Sequence, residues 1–125
     1  MSDLVTWLRA QLDADERIAR GARADYFTPE VLLQFSAAGD AAHVVTHDPA
    51  RVLRQVAALR AIVALHRHDT VTWAMSGEET IGCVICYWGQ CDRAGPDDAG
   101  WCETLRHLAT VYADRDGYQP EWAPE

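Results

Sequence analysis

The 125-residue sequence contains no lysine; all eleven of its strongly basic side chains are arginine. Alongside abundant Ala, Asp and Val, that bias points to a GC-rich coding sequence and says nothing about mechanism. No cysteine occurs outside residues 83–102. No run approaches the roughly eighteen apolar residues that a membrane helix needs, so a membrane partner is not expected. The opening Met1-Ser2-Asp3-Leu4-Val5-Thr6-Trp7 is acidic and lacks a signal-peptide pattern. The expectation is a cytoplasmic protein, where clustered thiols mean metal more often than disulfides.

A basic face is missing too. The net charge is −8, and residues 76–125 hold ten acids against three arginines, while residues 1–75 hold nine against eight. Duplex-binding proteins present positive surfaces to phosphates, so nucleic acid is not expected. Signatures of catalysis are equally scarce. There is no H-E-x-x-H, no phosphate-binding glycine loop and no G-x-S-x-G. Zinc deaminases pair H-x-E with P-C-x-x-C, but Gly82 precedes Cys83 and His66-Arg67-His68 has no glutamate. Glu78 and Glu79 read as a solvated acidic loop rather than as bases. The expectation is therefore a protein that is not an enzyme.

What is present is a helical pattern around a thiol cluster. Hydrophobic residues make up 49% of the chain, enough for one domain spanning residues 1–125. A first helix is expected from Asp3 to Arg20, with Ser2 as its cap. Leu4, Trp7, Leu8, Leu12 and Ile18 face inward, and Asp13–Arg17 and Glu16–Arg20 pair across one turn. Residues 22–47 form a variable insert. Thr28-Pro29 starts a short helix through Val31–Phe35, with a strand or a short hairpin within 22–40 as the competing reading, and a further turn over Asp40–His47. A central helix over 48–68 starts at Asp48-Pro49 and buries Val52, Val56, Leu59, Ile62 and Val63. A glycine-punctuated, cysteine-bearing irregular loop fills 69–100. A last helix over 101–114 turns Leu105, Leu108, Ala109 and Tyr112 inward. An aromatic tail over 115–125 docks Tyr118 and Trp122. The fold class is thus mainly α, with an irregular loop stapled between the last two long helices.

The staple is a metal site. Cys83-Val84-Ile85-Cys86 lets two thiolates face one ion from a turn, and Cys102 adds a third from the start of the last helix. Two residues compete for the fourth position. Cys91 gives C-x2-C-x4-C-x10-C, and His66 gives H-x16-C-x2-C-x15-C. His66 continues the apolar stripe of the central helix, four residues after Ile62 and three after Val63, so a ligand role would explain it there. A buried, hydrogen-bonded histidine is the plainer alternative. His68 lies about 200° round the helix from His66 and His107 about 140° round from Cys102, so neither shares the ion. His43 and His47 can face one way together and read as surface or capping residues. Structural zinc is the expected cofactor.

Several segments resemble a family of short uncharacterised proteins that carry a domain of unknown function, common in GC-rich Gram-positive bacteria and their phages. They are His47-Asp48-Pro49-Ala50-Arg51-Val52-Leu53-Arg54, then Ile62-Val63-Ala64-Leu65-His66, and Trp101-Cys102-Glu103-Thr104-Leu105-Arg106. Tyr112-Ala113-Asp114, Tyr118 and Glu121-Trp122 complete the likeness, and the opening helix matches as well. Trp101 stands where that family usually has proline, and Thr110-Val111 where it has Leu-Pro. The resemblance implies Cys83, Cys86, Cys102 and His66 as the ligand set, with Cys91 an extra, and it brings no known activity. The expected role is a protein-binding or accessory module. It would meet another protein through its acidic C-terminal half, where Trp73, Trp88, Trp101 and Trp122 crowd. The alternative is a thiol-based redox or catalytic-metal protein using the C-x-x-C pair.

Overall fold

Leu4, Leu8 and Leu12 stand one helical turn apart, and all three are buried in α1 (Leu4–Gly21). The next residue on that face is Ala19, also buried, rather than Ile18, which is 71% exposed. The period explains the correction: seven residues beyond Leu12 returns within about 20° of it, whereas six lands about 240° away. Glu16 and Arg20 form the expected exposed ion pair at 2.9 Å. The computed structural model describes residues 4–22, 27–34, 37–72, 75–86 and 102–124. They are mainly helical, with five α-helices and one two-stranded antiparallel sheet. Among them no helix is long and apolar enough to cross a membrane. The chain forms two compact units, Gln11–Leu59 and the combination of Met1–Ala10 with Arg60–Glu125.

In the unit Gln11–Leu59, side-chain caps set the starts of two helices. The Thr28 hydroxyl accepts a hydrogen bond from the Val31 amide, and Pro29 opens α2 (Pro29–Leu32) with its φ already helical. Val31 and Leu32 are therefore helical and not in a strand. The described residues of 22–40 contain no strand, and the remainder of that expected hairpin, Phe35 included, lies outside them. In place of a turn over Asp40–His47, α3 runs Ala38–Thr46 and buries Ala41. The Asp48 carboxylate then accepts from the Arg51 amide at 2.8 Å and caps α4 (Pro49–Leu65). Val56 of that helix is buried, with Val52 and Leu59 half-buried.

In the other unit, α4 continues through buried Val63 and stops at Leu65, three residues short of the expected end. His68 opens a strand instead. β1 (His68–Thr72) pairs antiparallel with β2 (Glu79–Cys83), aligning His68 with Cys83 and Thr72 with Glu79. Thr70, Val71 and Thr72 explain the change, because β-branched residues lose rotamer freedom in helices and fit a pleated strand. Gly77 turns the connection at φ +70°, a conformation glycine adopts without penalty. So part of the region expected to be irregular is a hairpin. α5 (Glu103–Thr110) is shorter than expected and buries Leu105, Arg106 and Ala109. Tyr112 follows them inward, and a 3₁₀ turn, Pro120–Trp122, ends the described chain.

The tail docks by named contacts. The Trp7 indole N–H donates to the Asp116 carbonyl at 3.0 Å. Its ring lies 5.7 Å from that of Tyr118 and 5.2 Å from that of Trp122, and those two meet edge-on at 5.9 Å. Trp122 is buried. Gly117 permits the approach at φ +90°, since a Cβ there would come within 2.7 Å of the Trp7 nitrogen. The buried Arg106 guanidinium donates to the Glu121 carbonyl at 3.1 Å, tying the tail to α5.

Candidate metal centre

The hairpin register brings the site together. His66 sits just past the end of α4 and two residues before β1, while Cys83 closes β2 opposite His68. The ladder extends one step further, with the Val84 amide donating to the Arg67 carbonyl at 3.1 Å. Sixteen intervening residues are thus folded back on themselves, and His66 faces the Cys83–Cys86 turn. The third sulfur arrives from α5. Cys102 is its N-cap residue, with extended backbone at φ −69° and ψ 156°, rather than a first-turn residue. Its carbonyl starts the helix by accepting from the Arg106 amide at 3.1 Å, which leaves the sulfur free to turn toward the cluster.

One nitrogen is the centre of the arrangement. His66 Nδ1 lies 3.4 Å from Cys83 Sγ, 3.4 Å from Cys86 Sγ and 3.7 Å from Cys102 Sγ. All four ligand atoms fall within 4.8 Å of one another. Hydrogen bonding does not account for this, because a neutral imidazole nitrogen offers one lone pair or one proton and not three partners at once. A tetrahedral ion with bonds of ~2.3 Å to sulfur and ~2.0–2.1 Å to nitrogen sets N and S about 3.6 Å apart. The observed spacing fits that geometry, so the cluster could hold a metal ion.

Burial sets the thiol chemistry. Cys83 and Cys102 are fully buried, and Cys86 and His66 are half-buried. Burial raises the Cys102 thiol well above its ordinary range, and charge on Cys83 and Cys86 raises it further. The Leu105 amide, aimed at the sulfur without completing a capping hydrogen bond, opposes that rise. Burial also raises Cys86, followed by its hydrogen bond with Cys83 and the charge there, while hydrogen bonds with Cys102 and Thr104 pull it down. Three thiolates this close do not coexist unaided, whereas a divalent cation would invert that balance and hold them deprotonated.

Of the residues weighed from sequence, the structure brings together His66, Cys83, Cys86 and Cys102. Cys91 lies outside the described residues. His107 is elsewhere, exposed on α5 with its Nε2 3.6 Å from the Glu103 carboxylate. Thr104 is an addition from the structure, hydrogen-bonded to Cys86; its place two residues after Cys102, in the first turn of α5, is the signal the sequence offers for it.

No curated protein and no solved structure matches this chain. The model of one family, DUF6221, described as a family of unknown function, matches residues 1–124. With nearly every residue matched, the chain belongs to DUF6221.

Proposed function

We propose that this chain is a small zinc-binding protein, its metal structural, that acts as an accessory module by contacting another protein. The observation that carries the metal half is the single nitrogen, His66 Nδ1, set at nearly equal distance from three sulfurs. Three thiolates and an imidazole in tetrahedral array suit zinc over harder cations, and four protein ligands leave no position for substrate. Thiols kept for metal suit a reducing compartment, the cytoplasm. The lysine-free composition agrees with a source among GC-rich Gram-positive bacteria or their phages.

For the partner, the contact surface would lie in the acidic C-terminal half. Trp122 is buried and offers nothing to it, and Trp73, Trp88 and Trp101 lie outside the described residues. Met75 is 99% exposed and Ile85, inside the C-x-x-C turn, is 54% exposed. Exposed Glu78 and Glu79 stand between them in sequence. Met75 stands beyond the Thr72–Glu79 end of the hairpin beside those acids and Ile85 beyond the His68–Cys83 end, two separate apolar points that suit a partner with basic-rimmed hydrophobic patches.

Elemental analysis of the purified full chain, paired with thiol titration, tests the metal. One zinc per chain is expected, with Cys91 reacting freely and the other three thiols reacting only after chelation. Cys91→Ser should keep the metal and His66→Ala should lose it. Metal-free protein with a cycling Cys83–Cys86 disulfide would replace this reading with a redox one. For the contact surface, Ile85→Glu and Met75→Glu should abolish co-purification of a partner while zinc content stays unchanged. Retention of the same partner by both variants would remove that surface.

A further inference from the structure

A second pair of ligating side chains lies far along the sequence from the cysteine cluster. His43 is in the last turn of α3, and His47 is the residue that caps it. Their spacing is i,i+4, which stacks side chains one turn apart on a single helix face. Both are exposed, and their ring centroids are 4.6 Å apart at an interplanar angle of 47°. Among the described residues neither imidazole has a hydrogen-bond or ion-pair partner, and the ring of each lies against that of the other. We propose that His43 and His47 form a surface chelate for a borderline divalent transition ion.

Neutral imidazole is the commonest protein ligand for such ions. Two nitrogens bound to one ion at bonds of ~2.0–2.1 Å stand about 3 Å apart. Rings with centroids at 4.6 Å reach that separation by turning an edge inward. The frame that carries them is already fixed. The His47 amide donates to the His43 carbonyl at 3.2 Å, the Thr46 hydroxyl donates to the Ala42 carbonyl at 2.8 Å, and Arg51 holds the Thr46 carbonyl at 3.1 Å. Location helps further, since the pair sits at the C-terminal, partially negative end of a nine-residue helix, which favours a cation. Water completes the coordination. With two nitrogens and no sulfur, this site ranks Cu²⁺ and Ni²⁺ above Zn²⁺, whereas the thiolate cluster favours soft-ligand ions.

Calorimetric titration of the full chain, first given one equivalent of Zn²⁺ and then Ni²⁺, tests this. One further ion should bind. His43→Gln and His47→Gln should each weaken Ni²⁺ by about tenfold or more, because loss of an outer-shell partner alone costs that much. The double variant should lose less than the sum of the two single losses, because removing either imidazole already breaks the chelate. Losses that simply add would mean two separate monodentate histidines and would overturn the chelate. So would Ni²⁺ binding at the parent's strength in the double variant. Circular dichroism of the variants should match the parent, because both side chains are exposed. Zinc content at the cysteine cluster should stay the same in all of them, so failure here leaves the zinc reading standing.

Discussion

The unit Gln11–Leu59 and the unit built from Met1–Ala10 with Arg60–Glu125 hold themselves together by different means. In the first, the buried side chains are all aliphatic, namely Leu12, Ala19, Ala41 and Val56, and the starts of α2 and α4 rely on the side chains of Thr28 and Asp48. In the second, much of the described chain lies outside helix and strand. It buries two tryptophans, a tyrosine, two thiols and an arginine, each with a specific partner or ring contact. Regular helix satisfies its own backbone hydrogen bonds and asks of its side chains mainly an apolar face to pack. Loops and short strands do not, so side-chain chemistry must hold them. That is why the thiol cluster and the aromatic lock both fall in the second unit.

The contrast should break most visibly on removal of the proposed metal. Structural zinc contributes about 10–16 kcal/mol in zinc-finger peptides, as much as a whole domain's typical stability of about 5–15 kcal/mol. Chelation, or Cys102→Ser, should therefore strip amide-exchange protection from 66–72, 75–86 and 102–122. The helices within 11–59 should keep theirs. Uniform loss across both units would show that they stand or fall together. The same centre should be pH-sensitive. The Cys86 and Cys102 thiols are raised above the ordinary 9.0 in the folded chain without metal. The stability this gives the metal-free fold is complete below about pH 9 and is lost as pH climbs further. Metal affinity moves the other way and weakens as pH falls, because the ion must displace those protons. Melting curves of both forms from pH 6 to 10 would check both signs.

Trp7→Ala comes next. It removes an indole that touches Tyr118 and Trp122 and bonds the Asp116 carbonyl. A loss of about 3–5 kcal/mol by denaturant titration is expected. Gly117→Ala should cost about 1–3 kcal/mol, since it forces a side chain into a left-handed backbone and against Trp7. Asp48→Ala removes only a helix cap and should cost about 0.5–2 kcal/mol. A greater loss from Asp48→Ala than from Trp7→Ala would reverse the comparison.

What the sequence disclosed follows the same division. α1, α4 and α5 were legible from apolar spacing, and α2 and α4 from Thr28-Pro29 and Asp48-Pro49, because these signals are local. The four side chains that meet at the candidate site were legible because thiols clustered in sequence and a histidine extended an apolar stripe. The hairpin was not legible. Its strands are five residues each, and the glycines around them look like loop punctuation. The pairing of His68 with Cys83 is a long-range register that no local pattern announces. Ile18 was misplaced by one position, enough to turn it to solvent. The fit of Gly117 under Trp7 depends on residues 110 apart meeting, and short-range spacing carries no trace of that.

The adjacent, mutually tilted indoles of Trp7 and Trp122 have an optical consequence. At 5.2 Å between centroids, their electronic transitions couple and split into a pair of dichroic bands of opposite sign in the ultraviolet. Trp7→Phe would erase that couplet while keeping a ring in place. The protein thus carries its own spectroscopic gauge of whether the chain's two distant ends are engaged.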